Sequence, residues 1–122
     1  MSAQVDVPAR LAGRVPPEVV AVVRGVVDSA AARGLPVEPL VQKALEGGAK
    51  GVPAERVIAA VRALERALLV LTPEQREVLV LKHVEGLPYE EIAQLTGATV
   101  ASLKMRMHRA YDRLRDELEE HR

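Results

Sequence analysis

Apolar residues recur at steps of three and four along most of this chain, and nowhere do they alternate over a strand-length run. Val19, Val20, Val23, Val26, Val27, Ala30 and Ala31 mark one face of a helix. Pro16 and Pro17 suit its first turn, where a missing N–H loses no bond, and Gly34 marks its stop. The many valines lower helix propensity, but their spacing is helical. A second, shorter helix is expected from about Val37 to Leu45, broken by Gly47-Gly48-Ala49-Lys50-Gly51. A third starts near Pro53 and carries Val57, Ile58, Val61, Leu64 and Leu68 on one face. Residues 16–70 therefore read as a three-helix segment. Residues 1–15 show no clear period and read as a flexible arm.

A new start signal comes at Leu71-Thr72-Pro73-Glu74-Gln75. Thr72 can cap, Pro73 takes the first helical position, and Gln75 completes a capping box. Val78, Leu79 and Leu81 continue that helix, and Gly86 ends it. The next helix covers Tyr89–Leu95, opened by Pro88 or a neighbour and closed by Gly97. Thr99 can cap the last helix, from about Val100 to Glu120. The expected fold is all-α: an N-terminal three-helix segment, then a C-terminal helix-turn-helix domain over residues 71–122.

The last two helices carry the chemistry. A helix-turn-helix needs a small residue where its helices cross and a turn residue that tolerates positive φ; Ala93 and Gly97 meet these needs. Val100, Leu103, Met107, Ala110, Leu114 and Leu118 form one apolar stripe on the last helix. Its opposite face holds Ala101, Ser102, Lys104, Met105, Arg106, His108 and Arg109. Ala101 and Ser102 are small enough for close approach to a groove floor, while Lys104, Arg106 and Arg109 can reach phosphates or guanine edges. No acid interrupts residues 101–109.

That local patch matters because the whole chain is neutral, with 17 Lys plus Arg against 17 Asp plus Glu in 122 residues. Neutrality counts against strong non-specific DNA binding. A groove senses local charge, however, since screening removes charges beyond about 8 Å at physiological salt. Aromatic residues make up only 2% and hydrophobic residues 48%, so the core must be aliphatic, which suits packed helices. The absence of Cys excludes disulfides and thiolate metal sites.

Other chemistry finds no support. His83, His108 and His121 lack the spacing of metal ligands. Glu90 and Glu91 are adjacent on a helix and so point about 100° apart, which suits a helix N-terminus and not a shared catalytic site. The Gly47–Gly51 run lacks the spacing of a phosphate-binding loop and is preceded by no strand. No nucleophile stands beside a base. The expectation is a protein that is not an enzyme, with no cofactor. Residues 1–14 carry no secretory signal, and an apolar run such as Ala67–Leu71 is far too short to span a bilayer, so a cytoplasmic protein without membrane contact is expected.

The strings Leu71-Thr72-Pro73-Glu74-Gln75-Arg76-Glu77-Val78-Leu79, His83-Val84-Glu85-Gly86-Leu87, Tyr89-Glu90-Glu91-Ile92-Ala93, Leu103-Lys104 and Arg106-Met107-His108-Arg109-Ala110 resemble the C-terminal region-four domain of bacterial sigma factors, extracytoplasmic-function type, over about residues 71–119. The resemblance implies that the last helix reads a promoter −35 element and that the domain packs on the β flap of RNA polymerase. By position it implies base contacts for Ala101, Ser102, Met105, Arg106 and Arg109, and phosphate contacts for Lys104 and the start of the Tyr89 helix. With the capping Thr99 and with His108 on the same face, these form the expected DNA-binding set. Three departures from the family's pattern stand out: Ala101-Ser102 replaces a Gly-Thr type pair, Met105 a small polar residue, and Pro88 a serine. No family is recognised in residues 1–70. They contain no aromatic side chain on which flipped promoter bases could stack, so the chain is not expected to be a working sigma factor by itself. The expected partners are double-stranded DNA, the polymerase core and a second copy of this chain. The alternative is an interaction module that engages polymerase or an anti-sigma factor without reading DNA.

Overall fold

The computed structural model describes residues 5–120, without the side chains at 118 and 120. Residues 1–4 of the expected arm, Leu118 of the apolar stripe and His121 lie outside the described residues. Every regular element among the described residues is helical: α1 (Val7–Leu11), α2 (Pro17–Ala32), α3 (Glu38–Ala49), α4 (Ala54–Val70), α5 (Pro73–Leu79), a π-turn (Val80–Val84), α6 (Tyr89–Thr96) and α7 (Val100–Glu120). The chain divides into two compact units, Met1–Glu65 and Arg66–Arg122.

In the first unit α1, α2 and α3 pack on one another. The core is aliphatic: Val19, Val23, Ala30, Leu40, Val41 and Ala44 are fully buried. Two expectations fail here. The flexible arm over residues 1–15 gives way to α1, because Val7, Leu11 and Val15 are buried. Asp6 caps that helix by accepting from the Ala9 N–H at 3.1 Å. Arg10 ties it to the start of α3 by two hydrogen bonds to Glu38, at 3.0 and 2.7 Å. Five residues are too few for a period to show. The second failure is the glycine run, which does not break α3 at Leu45. The helix continues through Gly47 and Gly48 to Ala49. A Cβ on Gly47 would lie 2.7 Å from Val57 Cγ2, and one on Gly48 would overlap the Arg14 carbonyl oxygen. These glycines serve close packing inside a helix.

The second unit begins within α4, five residues before the expected boundary at 70/71. One reason is Arg76, which donates to the Leu68 carbonyl at 3.1 Å and so satisfies an orphan acceptor at the end of α4. Thr72 and Gln75 form the expected capping box: the Gln75 N–H donates to Thr72 Oγ1 at 3.1 Å, and the Thr72 N–H donates to Gln75 Oε1 at 3.0 Å. The helix that begins there changes at Val80 into a π-turn, in which the Glu85 N–H donates to the Val80 carbonyl at 3.0 Å. Such turns shift the register of the downstream residues and occur often at functional places. α7 packs on α5 and on α6. Leu103, Met107 and Ala110 are buried, while Val100 and Leu114 are only half-buried.

Candidate nucleic-acid interface

The turn between α6 and α7 is set locally. Gly97 takes φ +76°, a left-handed value that L side chains rarely adopt. Its N–H donates to the Ala93 carbonyl at 2.9 Å, which closes α6. Thr99 then starts α7, its hydroxyl accepting from the Ser102 N–H at 3.1 Å. Ile92 and Leu103, both fully buried, belong to the two helices so joined. Each helix is fixed at its end and by its apolar face, so the outer side chains of α7 share one surface.

That surface holds the residues expected from sequence. Ala101, Ser102, Lys104, Met105, His108 and Arg109 are exposed, and Arg106 is half-buried. Ser102, Met105, Arg106 and Arg109 are brought together along an open groove whose other wall is Thr72, Glu74 and Gln75 at the start of α5. The strip is free of acid along α7 but faces Glu74 across the groove. Sequence spacing along one helix does not show this, since Glu74 belongs to α5.

Four of the expected residues, Thr99, Ala101, Lys104 and His108, do not line the groove. His108 approaches Asp112 at 3.5 Å, one turn further along α7, where Asp112 also accepts from Arg115 at 2.7 Å. Thr99 spends its hydroxyl on the cap. Lys104 turns to the other flank, where its Nζ lies 5.8 Å from the Tyr89 ring centroid.

The Tyr89 flank adds a residue that sequence reasoning missed. Lys82 of the π-turn places its Nζ 4.6 Å from the same ring. One aromatic ring thus gathers two ammonium groups from different elements, each contact worth roughly 0.5–1 kcal/mol at an exposed site. The available signal was Tyr89 itself, one of only two aromatic residues in the chain. The other, Tyr111, pairs its hydroxyl with His83 Nε2, the rings meeting edge-to-face at 5.6 Å. Burial, with a smaller contribution from Tyr89, raises the Tyr111 phenol above the ordinary tyrosine range.

Among the described residues no group of three or more His, Asp or Glu is placed to hold a metal ion, and no helix is long and apolar enough to cross a membrane.

Residues 61–114 match the family model described as sigma-70, region 4. The chain is 47% identical over 53 residues to the RNA polymerase sigma-E factor of Streptomyces antibioticus, covering 43% of this chain and 29% of that protein. It is 44% identical over 59 residues to the RNA polymerase sigma factor CarQ of Myxococcus xanthus, covering 48% and 34%. With the ECF RNA polymerase sigma factor SigD of Mycobacterium tuberculosis it shares 40% identity over 58 residues, covering 48% and 27%. The chain thus spans about a third of the length of the curated relatives it matches. No solved structure matches it.

Proposed function

We propose that this chain, whose C-terminal unit carries a region-four domain of the sigma-70 type, binds duplex DNA in bacterial transcription initiation. In this reading α7 enters the major groove at a promoter element of the −35 kind. The observation that carries it is the outer strip of α7, where Ser102, Lys104, Met105 and Arg109 are exposed beside Arg106 and no acid interrupts residues 101–109. Arg106 and Arg109 have the reach and the forked donors for guanine edges or phosphates. Lys104 and Lys82, gathered on Tyr89, suit the phosphate backbone beside the groove. Thr99, Ala101 and His108 complete the DNA-facing set, with Ala101 allowing close approach.

A single helix-turn-helix covers only about 600–1,000 Å² of protein surface, so it binds weakly alone. We infer that the RNA polymerase core in the cytoplasm, through its β flap, or a second copy of this chain supplies the remaining contact. The test is fluorescence anisotropy with promoter-like duplex over a range of salt. Affinity is expected to fall steeply as salt rises, and to fall further in Arg106→Ala and Arg109→Ala. Capture of polymerase with no measurable duplex affinity at low salt overturns the DNA reading in favour of an interaction module.

A further inference from the structure

Met105 is the one chemically discordant residue on the outer strip of α7. The residue is 54% exposed, although an unbranched thioether gains nothing from water. Ser102 precedes it by one turn, Arg109 comes one turn after it, and Arg106 adjoins it on the same groove. A cation or hydroxyl in that row can bond to any base edge of suitable pattern. A methionine cannot: its sulfur is at most a weak acceptor, and it has no donor. What it offers is apolar contact. The major-groove edges of guanine, cytosine and adenine present only donors and acceptors, and thymine alone adds a methyl group at C5.

We infer that Met105 is a specificity-determining residue that packs on a thymine methyl in the bound site. The inference rests on the DNA reading above and sharpens it. Removing water from the thioether and the methyl together gives a preference for thymine at one base pair. Arg106 and Arg109, which both follow Met105 on α7, supply affinity at neighbouring positions without making that choice.

The experiment starts by selecting a site for the full-length wild-type chain from a pool of random duplex DNA. Each thymine of that site is then replaced in turn by deoxyuridine, which removes the methyl and leaves every hydrogen-bonding group in place. One replacement is expected to weaken wild-type binding about fourfold, the effect of unburying one methyl group. Met105→Ala should bind the unmodified site more weakly by a similar factor and show no response to that replacement. Met105→Leu should retain the response. A wild-type chain indifferent to every replacement overturns the inference, as does a Met105→Ala chain that still responds at the same position; in both cases the DNA reading stands. A pool that yields no salt-sensitive duplex binding overturns the DNA reading, and this inference with it.

Discussion

Arg10 and Glu38 face each other through two parallel hydrogen bonds, Nη1 to Oε2 at 3.0 Å and Nη2 to Oε1 at 2.7 Å. The fork fixes the direction of α1 against α3. The Glu38 contact raises the Arg10 guanidinium above its ordinary range. Both side chains remain partly open to solvent, which weakens their attraction. A double-mutant cycle over Arg10→Ala and Glu38→Ala, read by urea denaturation, should give a coupling below about 1 kcal/mol. Leu11→Ala should cost more, about 2–5 kcal/mol, because Leu11 is fully buried. The reverse ranking would mean that the ion pair and not the apolar contact holds α1.

Helix starts and stops in the C-terminal unit depend on single side chains. Thr72→Ala should destabilise by about 1 kcal/mol, whereas Thr72→Ser keeps the hydroxyl and should change little. Gly97→Ala should cost about 1–2 kcal/mol, since alanine would have to hold φ near +76°. Thermal unfolding tracked by circular dichroism measures all three variants.

Two glycines in helices should respond with opposite signs. A Cβ on Gly25 in α2 meets nothing within 4 Å, so Gly25→Ala should stabilise by about 0.5–1 kcal/mol. A Cβ on Gly48 overlaps the Arg14 carbonyl oxygen, so Gly48→Ala should destabilise by about 1–3 kcal/mol. Equal responses in chemical denaturation would contradict the close approach at Gly48.

The Tyr111 phenol gives a pH signature. Its folded pKa is raised, chiefly by burial, so the neutral form is favoured by folding. The associated stability is complete below the unfolded tyrosine pKa of about 10 and is lost as pH rises through the higher folded value. In Tyr89→Phe, where Tyr111 is the sole tyrosine, the tyrosinate absorbance should therefore rise with a midpoint above about 10 in the folded protein and near that value in urea. Coincident midpoints would place that phenol in open water.

The two lysines on Tyr89 predict a graded effect on duplex affinity. Tyr89→Phe keeps the ring and should bind nearly as wild type. Tyr89→Ala frees both ammonium groups and should weaken binding by roughly 0.5–1 kcal/mol. Lys82→Ala should flatten the dependence of log affinity on log salt by about one unit if its ammonium neutralises one phosphate. An unchanged slope removes Lys82 from the interface.

Features with a local cause could be read from sequence. The Thr72–Gln75 box, the left-handed Gly97 and the Thr99 cap each arise from residues within four positions of one another, and the structure has all three. The apolar seam of α7 was legible for the same reason; among its described side chains Leu103, Met107 and Ala110 are buried, and Val100 and Leu114 are half-buried. Where distant residues decide, the pattern misled or said nothing. Gly47 and Gly48 look like a helix break until Val57 and the Arg14 carbonyl press against them. α1 is too short for a period and is held by contacts such as Arg10 to Glu38. The π-turn leaves no composition signal, so the approach of Lys82 to Tyr89 was hidden. In the candidate site, the row from Ala101 to Arg109 came from periodicity, whereas Glu74 facing it came only from the fold.

Both tyrosines of the chain, Tyr89 and Tyr111, fall in the C-terminal unit, and there is no tryptophan anywhere. Intrinsic emission is therefore a label confined to that unit, while the N-terminal helices are optically silent beyond their amide signal. A melt recorded at once by tyrosine fluorescence and by amide dichroism separates the two units without any added dye: if they unfold together the traces superimpose, and if they unfold in turn the amide trace alone carries the extra step.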